Sequence, residues 1–153
     1  MSFNGFYDEG AIKLATILKN SKIEELNISG NFITNEGAKA IFANLPKCIK
    51  SLNVGDNKFG DEGLIALVER LPEIKLKFLD ISCNNITKIG LKTLAVKLPD
   101  TELISLDVRG SFVSQTAVEL IEENLPVTIK YANTVCYNEA LEIIGKEVNY
   151  CDL

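Results

Sequence analysis

The chain has 153 residues, of which 46% are hydrophobic and 24% charged, and its formal net charge is −5. This length and composition are ordinary for one globular domain that buries its own core. The negative charge argues against a nucleic-acid backbone as the partner, and no apolar run approaches the ~18 residues that a membrane helix needs.

The chain contains no histidine, and its four cysteines are Cys48, Cys83, Cys136 and Cys151. A catalytic triad that depends on histidine is therefore impossible within it, and no CxxC pair favours a zinc site. The N-terminal stretch MSFNGFYDEG has neither the basic nor the apolar region of a secretory signal. Scattered thiols without a signal are typical of a reducing compartment. We therefore expect a cytoplasmic protein that has no metal or cofactor and is not an enzyme.

One pattern of residues returns along the chain in steps of 26, 27 and 27. The leucine that opens it stands at Leu26, Leu52, Leu79 and Leu106. An asparagine column keeps the same phase at Asn4, Asn31, Asn57 and Asn84, with Ser111 in fifth place. A column of small residues follows at Gly10, Gly37, Gly63, Gly90 and Ala117. Periods of this length predict a solenoid.

The chain opens within a repeat, because NGFYDEG at residues 4–10 matches NFITNEG at 31–37 without a strand pattern before it. We expect residues 1–22 to be a half-repeat whose helix caps the array. Its predicted polar outer face carries Asp8, Glu9, Lys13 and Lys19. A chain cut from a longer array is the alternative.

Four full repeats follow, and we place them at residues 23–48, 49–75, 76–102 and 103–128. Each is predicted to begin with a strand. In the second repeat, for example, Leu52 and Val54 alternate with small residues. Each continues with a helix, as where Leu64, Leu67, Val68 and Leu71 recur at helical spacing before Pro72 ends the run.

Local signals mark the helix starts and the turns. Thr34, Thr87 and Ser114 stand at N-cap positions, where a side-chain oxygen can accept a free backbone N–H. The small-residue column would let the first helical turn approach the neighbouring repeat. The asparagine amides Asn4, Asn31, Asn57 and Asn84 would satisfy backbone groups where the chain leaves each strand.

Residues 129–153 keep the order of strand and helix but lose the apolar columns, with Ala132 and Thr134 in their place. We expect a degenerate repeat that caps the C-terminal end. The predicted fold is an α/β, right-handed solenoid arc, with a concave parallel sheet of about five strands and helices on the convex side.

The pattern LxxLxIxxNxITxxGxxxLxxxLP over residues 4–128 resembles the leucine-rich repeats of the ribonuclease-inhibitor class. That class also includes a GTPase-activating protein of Ran and many innate-immune receptors, and similar short arrays occur in bacterial effectors and actin-capping tropomodulins. The resemblance implies the fold and a protein partner. It implies no shared chemistry.

The side chains that point away from the helices define the concave face, and they form three columns. The first is Glu25, Ser51, Phe78, Ser105 and Tyr131. The second is Asn27, Asn53, Asp80, Asp107 and Asn133. The third is Ser29, Gly55, Ser82, Arg109 and Val135. Because aromatic and arginine side chains dominate interfaces, we predict that a partner protein binds Phe78, Asp80, Asp107, Arg109, Tyr131 and Asn133.

Several points stay open from sequence. Asp80 and Asp107 would be near neighbours, either as an acid/base or cation-binding pair or as solvated groups offset by Arg109. The tail VNYCDL at 148–153 could instead cover Phe78 and Tyr131. Phe32 and Phe112 either cover the edge of the core or are exposed binding anchors. Cys83 is expected to be a buried thiol.

We therefore predict a monomeric, non-catalytic protein-interaction module that binds neither nucleic acid nor membrane. One alternative is a regulatory segment of a larger receptor or a bacterial effector, which would be translocated into a host cell. Another, by analogy with the resembling class, is an activator of a GTPase.

Overall fold

The computed structural model describes residues 5–110 and the backbone of residues 131–133. Helices and strands alternate within these residues. They are α1 (Tyr7–Leu18), β1 (Glu25–Asn27), α2 (Asn35–Ala43), β2 (Ser51–Asn53), α3 (Asp61–Arg70), β3 (Phe78–Asp80), α4 (Lys88–Lys97), β4 (Ser105–Asp107) and β5 (Tyr131–Asn133).

The strands form a single parallel sheet in which every strand pairs with the next one along the chain. Leu26, Leu52, Leu79 and Leu106 lie side by side in its central row. The backbone of β5 continues this register beside β4. The predicted α/β solenoid with a parallel sheet and one helix per repeat is therefore confirmed. The total number of strands and the right-handed winding stay predictions.

The core lies between the sheet and the helices, and leucine and isoleucine columns fill it. Leu64, Leu67, Val68 and Leu71 are each at most 3% exposed, as their helical spacing predicts. Phe42 of α2 packs edge-to-face on Phe59 of the next repeat, with ring centroids 5.6 Å apart. Such packing buries apolar surface that no single repeat could cover alone.

The proline column marks the change from α-helix to a tighter turn. α3 ends at Arg70, and Pro72 lies in a 3-10 turn over Leu71–Glu73. Pro99 has the same place in the turn Leu98–Asp100. Proline lacks an N–H and is tolerated where a helical turn begins, because no donor is needed there.

Only one of the two N-caps within the described residues is made as predicted. The Thr87 hydroxyl accepts a hydrogen bond from Ile89 N at 3.2 Å. Thr34 stands at the N-cap of α2, but its hydroxyl donates to Asp8 Oδ2 at 2.5 Å. Ser114 lies outside the described residues.

Asp8 caps the following helix and is not part of the polar outer face of α1. Its Oδ1 accepts from Thr34 N at 2.8 Å and from Gly37 N at 3.1 Å. A carboxylate is favoured there because it meets the free N–H groups and the positive end of the helix dipole. Glu9, Lys13 and Lys19 are exposed as predicted.

The same capping across repeats occurs at the next two helices. Asn35 Oδ1 accepts from Gly60 N at 2.7 Å and from Gly63 N at 3.1 Å. Asp61 accepts from Thr87 N at 2.8 Å through Oδ1 and from the Thr87 hydroxyl at 2.6 Å through Oδ2. Each of the helices α1, α2 and α3 therefore carries the cap of the helix that follows it.

This capping explains the small-residue column. A Cβ atom added at Gly90 would lie 2.5 Å from Asp61 Oδ1, and one at Gly63 would lie 3.1 Å from Asn35 Oδ1. Glycine provides the space that the capping side chain occupies. The predicted close approach of neighbouring repeats is confirmed at these positions, and Ala117 lies outside the described residues.

Candidate functional site

The asparagine column lies beneath the turn that follows each strand. Asn31, Asn57 and Asn84 are 0%, 2% and 3% exposed. Asn57 accepts from Asn31 N at 3.1 Å and from Ile33 N at 3.0 Å. Its amide donates to three carbonyl oxygens, those of Ile28, Val54 and Gly55, each at 3.1 Å. One side chain thus satisfies backbone groups of two adjacent repeats.

The other two described members of the column donate in the same manner. Asn84 donates to the carbonyls of Val54, Ile81 and Ser82 at 3.0–3.1 Å. Asn31 donates to those of Ile28 and Ser29 at 2.9 Å. These hydrogen bonds join the amides to backbone carbonyls of the turns. Asn4 lies outside the described residues.

The concave face carries the predicted columns in register. Phe78 lies between Ser51 and Ser105 on the neighbouring strands, and Asp80 lies between Asn53 and Asp107. The backbones of Tyr131 and Asn133 continue the two rows beside Ser105 and Asp107. The side chains of Tyr131 and Asn133 lie outside the described part of the structure.

Phe78 is the large apolar side chain of this face among the residues described. It is 47% exposed, whereas Leu79 beside it is 2% exposed. The small side chains of Ser51 and Ser105 leave the ring uncovered toward both neighbouring strands. An open depression of about 260 Å³ lies around it, lined by Ser51, Leu52, Asn53, Phe78, Leu79, Asp80, Ser105 and Asp107.

A repeated turn follows each of the strands β1 to β4, and sequence analysis did not identify it. In every case, a side-chain oxygen accepts from the backbone N–H two residues later at 3.0 Å. The pairs are Asn27 with Ser29, Asn53 with Gly55, Asp80 with Ser82, and Asp107 with Arg109. The spacing of Asn or Asp in this column was the available signal, since both residues favour such turns. Asp80 and Asp107 are therefore partly structural.

Arg109 forms an ion pair with Asp107 of the second column. Its Nε lies 3.0 Å from both carboxylate oxygens, and its Nη2 lies 2.6 Å from Oδ2. These hydrogen bonds, together with the nearby negative charge, raise the pKa of Arg109 above its ordinary value. This pair agrees with the second alternative from sequence, in which Arg109 offsets the two carboxylates. Within the described residues, no three acidic or thiol side chains gather as possible metal ligands.

Asp80 is engaged through one oxygen. Its Oδ1 accepts from Ser82 N at 3.0 Å and from the Ser82 hydroxyl at 2.6 Å. A Cβ atom added at Gly55 would lie 3.0 Å from this Oδ1, so glycine gives the carboxylate its space. Within the described residues, no hydrogen bond or ion pair involves Asp80 Oδ2.

Phe32 forms an exposed aromatic pair away from the concave columns. It is 51% exposed, and its ring stacks on Tyr7 with centroids 5.6 Å apart. Both residues have positive φ, +57° for Phe32 and +44° for Tyr7. Half of the ring remains in solvent. Edge cover and binding anchor both stay predictions, and the concave-face proposal below assigns no binding to this ring. Phe112 lies outside the described residues.

The expectation that Cys83 is buried is wrong, because the thiol residue is half-buried. It stands in the turn before Asn84 with φ of +50°, a left-handed backbone conformation. Its Sγ would lie 2.7 Å from a Cβ atom at Gly110. Glycine at 110 therefore makes room for it.

Comparison with protein families identifies the repeat itself. A family model described as "Leucine Rich repeat" matches residues 19–42, 46–68 and 74–95. These three matches fall in the phase of the strand-and-helix units described above. The chain is a leucine-rich-repeat protein. Arrays of this family serve in general as protein-interaction scaffolds, so a protein-interaction module is the function that the family supports.

Two similar proteins place this leucine-rich-repeat protein among known arrays. RAN GTPase-activating protein 2 of Arabidopsis thaliana is 37% identical over 87 residues, which cover 53% of this chain. The chain spans only 16% of the length of that relative. The solved structure of Leiomodin-1 Actin-Binding Site 2 has a TM-score of 0.56 at 19% identity, covering 76% of this chain and 73% of that one. The second likeness shows the fold alone.

None of the helices in the described leucine-rich repeats has both the length and the apolar composition needed to cross a membrane.

Proposed function

We propose that this leucine-rich-repeat protein is a non-catalytic module whose concave face, toward its C-terminal end, binds another protein. The binding residues are Phe78, Asp80, Asp107, Arg109, Tyr131 and Asn133. The proposal includes a right-handed arc of about five strands, acting as a monomer in the cytoplasm. Residues 1–22 and 129–153 cap this arc at its two ends.

The exposure of Phe78 carries the proposal. A phenylalanine at 47% exposure in the middle of a sheet leaves apolar surface in water that serine, present on both neighbouring strands, would avoid. The repeat does not need the ring, because the equivalent positions of β1, β2 and β4 are Glu25, Ser51 and Ser105. Aromatic side chains with this kind of exposure are frequent binding hot spots.

Phe78→Ser tests the proposal, with Phe32→Ser as the matched control. Both substitutions remove an aromatic side chain that is about half exposed, and only Phe78 lies on the concave face. The partner would first be captured with the full chain, identified and purified. Its Kd would then be measured for each variant by calorimetry.

We expect Phe78→Ser to weaken binding about thirtyfold, equivalent to ~2 kcal/mol, at a nearly unchanged Tm. We expect Phe32→Ser to bind as the unmodified chain does. A Tm that falls strongly with Phe78→Ser would instead mean that the ring belongs to the core or lies beneath the chain's own tail at 148–153. The double replacement of Phe78 and Tyr131 by Ser extends the same test to the fifth strand.

A second candidate function is activation of a GTPase. The 37% identity to RAN GTPase-activating protein 2 favours it. A single-turnover assay of GTP hydrolysis by Ran, with and without the chain, tests it. Faster hydrolysis in the presence of the chain would support an activator of the GTPase. An unchanged rate would support the non-catalytic binding module.

A further inference from the structure

From the concave face we infer the chemistry of the partner group, and this inference rests on the proposed function. We propose that the depression around Phe78 receives an arginine side chain of the partner. The guanidinium would stack on the Phe78 ring and donate to Asp80 Oδ2.

The two recognition groups face the same space. Phe78 and Asp80 are two residues apart in β3, so both point to the concave face with Cα atoms about 6.6 Å apart. Both line the depression of about 260 Å³. A planar cation over the ring, within ~6 Å of its centroid, could therefore reach the carboxylate.

The acceptor atom is available on the described surface. Ser82 engages Asp80 Oδ1 only, through its backbone N–H and its hydroxyl. Asp107, the adjacent carboxylate, is occupied by Arg109, which lies two residues after it and attracts Asp80 only at longer range. A partner cation would therefore bind at Asp80.

The charge of the concave face favours a cation. The described members of its three columns include three carboxylates, Glu25, Asp80 and Asp107, against the single guanidinium of Arg109. Lys77, the residue before Phe78, lies outside the three columns. Lys75 pairs with Glu102 at 3.8 Å, and Lys50, next to Ser51 of the adjacent strand, pairs with Glu24 at 2.7 Å. An anionic group would meet a net negative field at this position.

Arginine fits better than lysine for two reasons. Its flat guanidinium stacks on an aromatic face while its N–H groups still donate in their own plane. It is also more weakly hydrated than an ammonium group, so its transfer to a half-apolar surface costs less. The Arg109–Asp107 pair is an example of guanidinium–carboxylate geometry on the same face.

Asp80→Asn is a clean test variant because the fold already accepts asparagine at this position. Asn53 in the adjacent strand accepts from Gly55 N at 3.0 Å, as Asp80 accepts from Ser82 N at 3.0 Å. The substitution therefore keeps the turn and removes only the charge. Glu25→Gln is the matched control, since it removes a carboxylate of the same face at the far end of the described strands.

The experiment titrates the full chain with the peptide acetyl-Gly-Arg-Gly-amide, followed by NMR. Peptides with citrulline or lysine in place of arginine are the comparison probes. We expect saturable shifts at Phe78 and Asp80 with the arginine peptide, and binding about tenfold weaker with citrulline, because the charge-assisted hydrogen bond is lost. Asp80→Asn should weaken arginine binding about tenfold, Phe78→Leu severalfold, and Glu25→Gln less than twofold.

Equal binding of the arginine and citrulline peptides, or unchanged binding to Asp80→Asn, would overturn the inference. Failure of this inference can be distinguished from failure of the proposed function. A partner that binds through Phe78 while the arginine probe does not would overturn this inference alone. An arginine probe that binds at Phe78 and Asp80, with a partner indifferent to Phe78→Ser, would refute the proposed function and, with it, the claim that the arginine belongs to the partner.

Discussion

Replacement of Asn57 by alanine gives the sharpest stability prediction, because this side chain makes hydrogen bonds in two repeats at 2% exposure. Alanine would leave two buried donors, Asn31 N and Ile33 N, without their acceptor. A buried donor without a partner costs about 1–3 kcal/mol, and the three carbonyls that also lose a donor keep further lone pairs. We therefore expect a loss of about 2–5 kcal/mol in the free energy of unfolding.

Asn84 provides the internal comparison. Its amide makes three hydrogen bonds like that of Asn57, but its Oδ1 has no hydrogen-bond partner within the described residues. Asn84→Ala should therefore cost about 1–3 kcal/mol, less than Asn57→Ala. Urea titrations of both variants, with the slope m compared to exclude changes in the unfolded state, measure the difference. A loss below about 0.5 kcal/mol at Asn57, or a larger loss at Asn84, would refute the two-repeat role of this column.

Three further outcomes follow from other contacts. Asp61→Ala should lower the free energy of unfolding by about 1–2 kcal/mol, because it removes the cap of α4. Asp61→Asn should lower it less, since Asn35 caps α3 in the same way. Thermal unfolding of both variants measures the difference. Gly90→Ala should be destabilising while Asp61 is present and better tolerated together with Asp61→Ala, because the added Cβ would lie 2.5 Å from Asp61 Oδ1. Additive losses of stability in a double-mutant cycle would show that the two side chains do not compete for the same space. The exposed ion pair with Lys39 lowers the pKa of Glu62. The contribution of this pair to stability is therefore fully present above the ordinary pKa of ~4.3 and is lost as pH falls through the lower pKa of the folded state. In Lys39→Gln, the pKa of Glu62 should return to its ordinary value, as measured by NMR titration. The same pKa in this variant and in the unmodified chain would show that the pair does not persist in solution.

The leucine and asparagine columns made most of the fold predictable. Leu52, Leu79 and Leu106 had to lie side by side once the period and the strand alternation were recognised. The buried helical residues Leu64 and Leu67 followed from the same repeat. Periodic sequences permit such inference because every repeat independently states the same arrangement.

Contacts between repeats were harder to predict than the repeats themselves. Rules for helix caps consider residues within one turn of the helix start, whereas Asp8 caps a helix whose N-cap is 26 residues away. Thr34 therefore had a correct position and a wrong partner. The burial of Cys83 was predicted wrongly because the prediction rested on its hydrophobicity, whereas the turn gives this residue a φ of +50°.

The candidate site was predictable in position but not in chemistry. The alternation of β3 placed Phe78 and Asp80 on one face. It could not show that Ser82 uses one oxygen of Asp80, or that Arg109 closes on Asp107. Those contacts depend on side-chain conformations that strand periodicity does not determine.

Site-specific photo-crosslinking tests the central claim, a partner bound at the concave face, most directly. A benzophenone amino acid would replace Phe78 in one chain and Phe32 in another, since both rings are about half exposed on different surfaces. With the purified partner present, the account predicts a covalent adduct from position 78 and none from position 32. Crosslinking from position 32 alone, or equally from both positions, would contradict it.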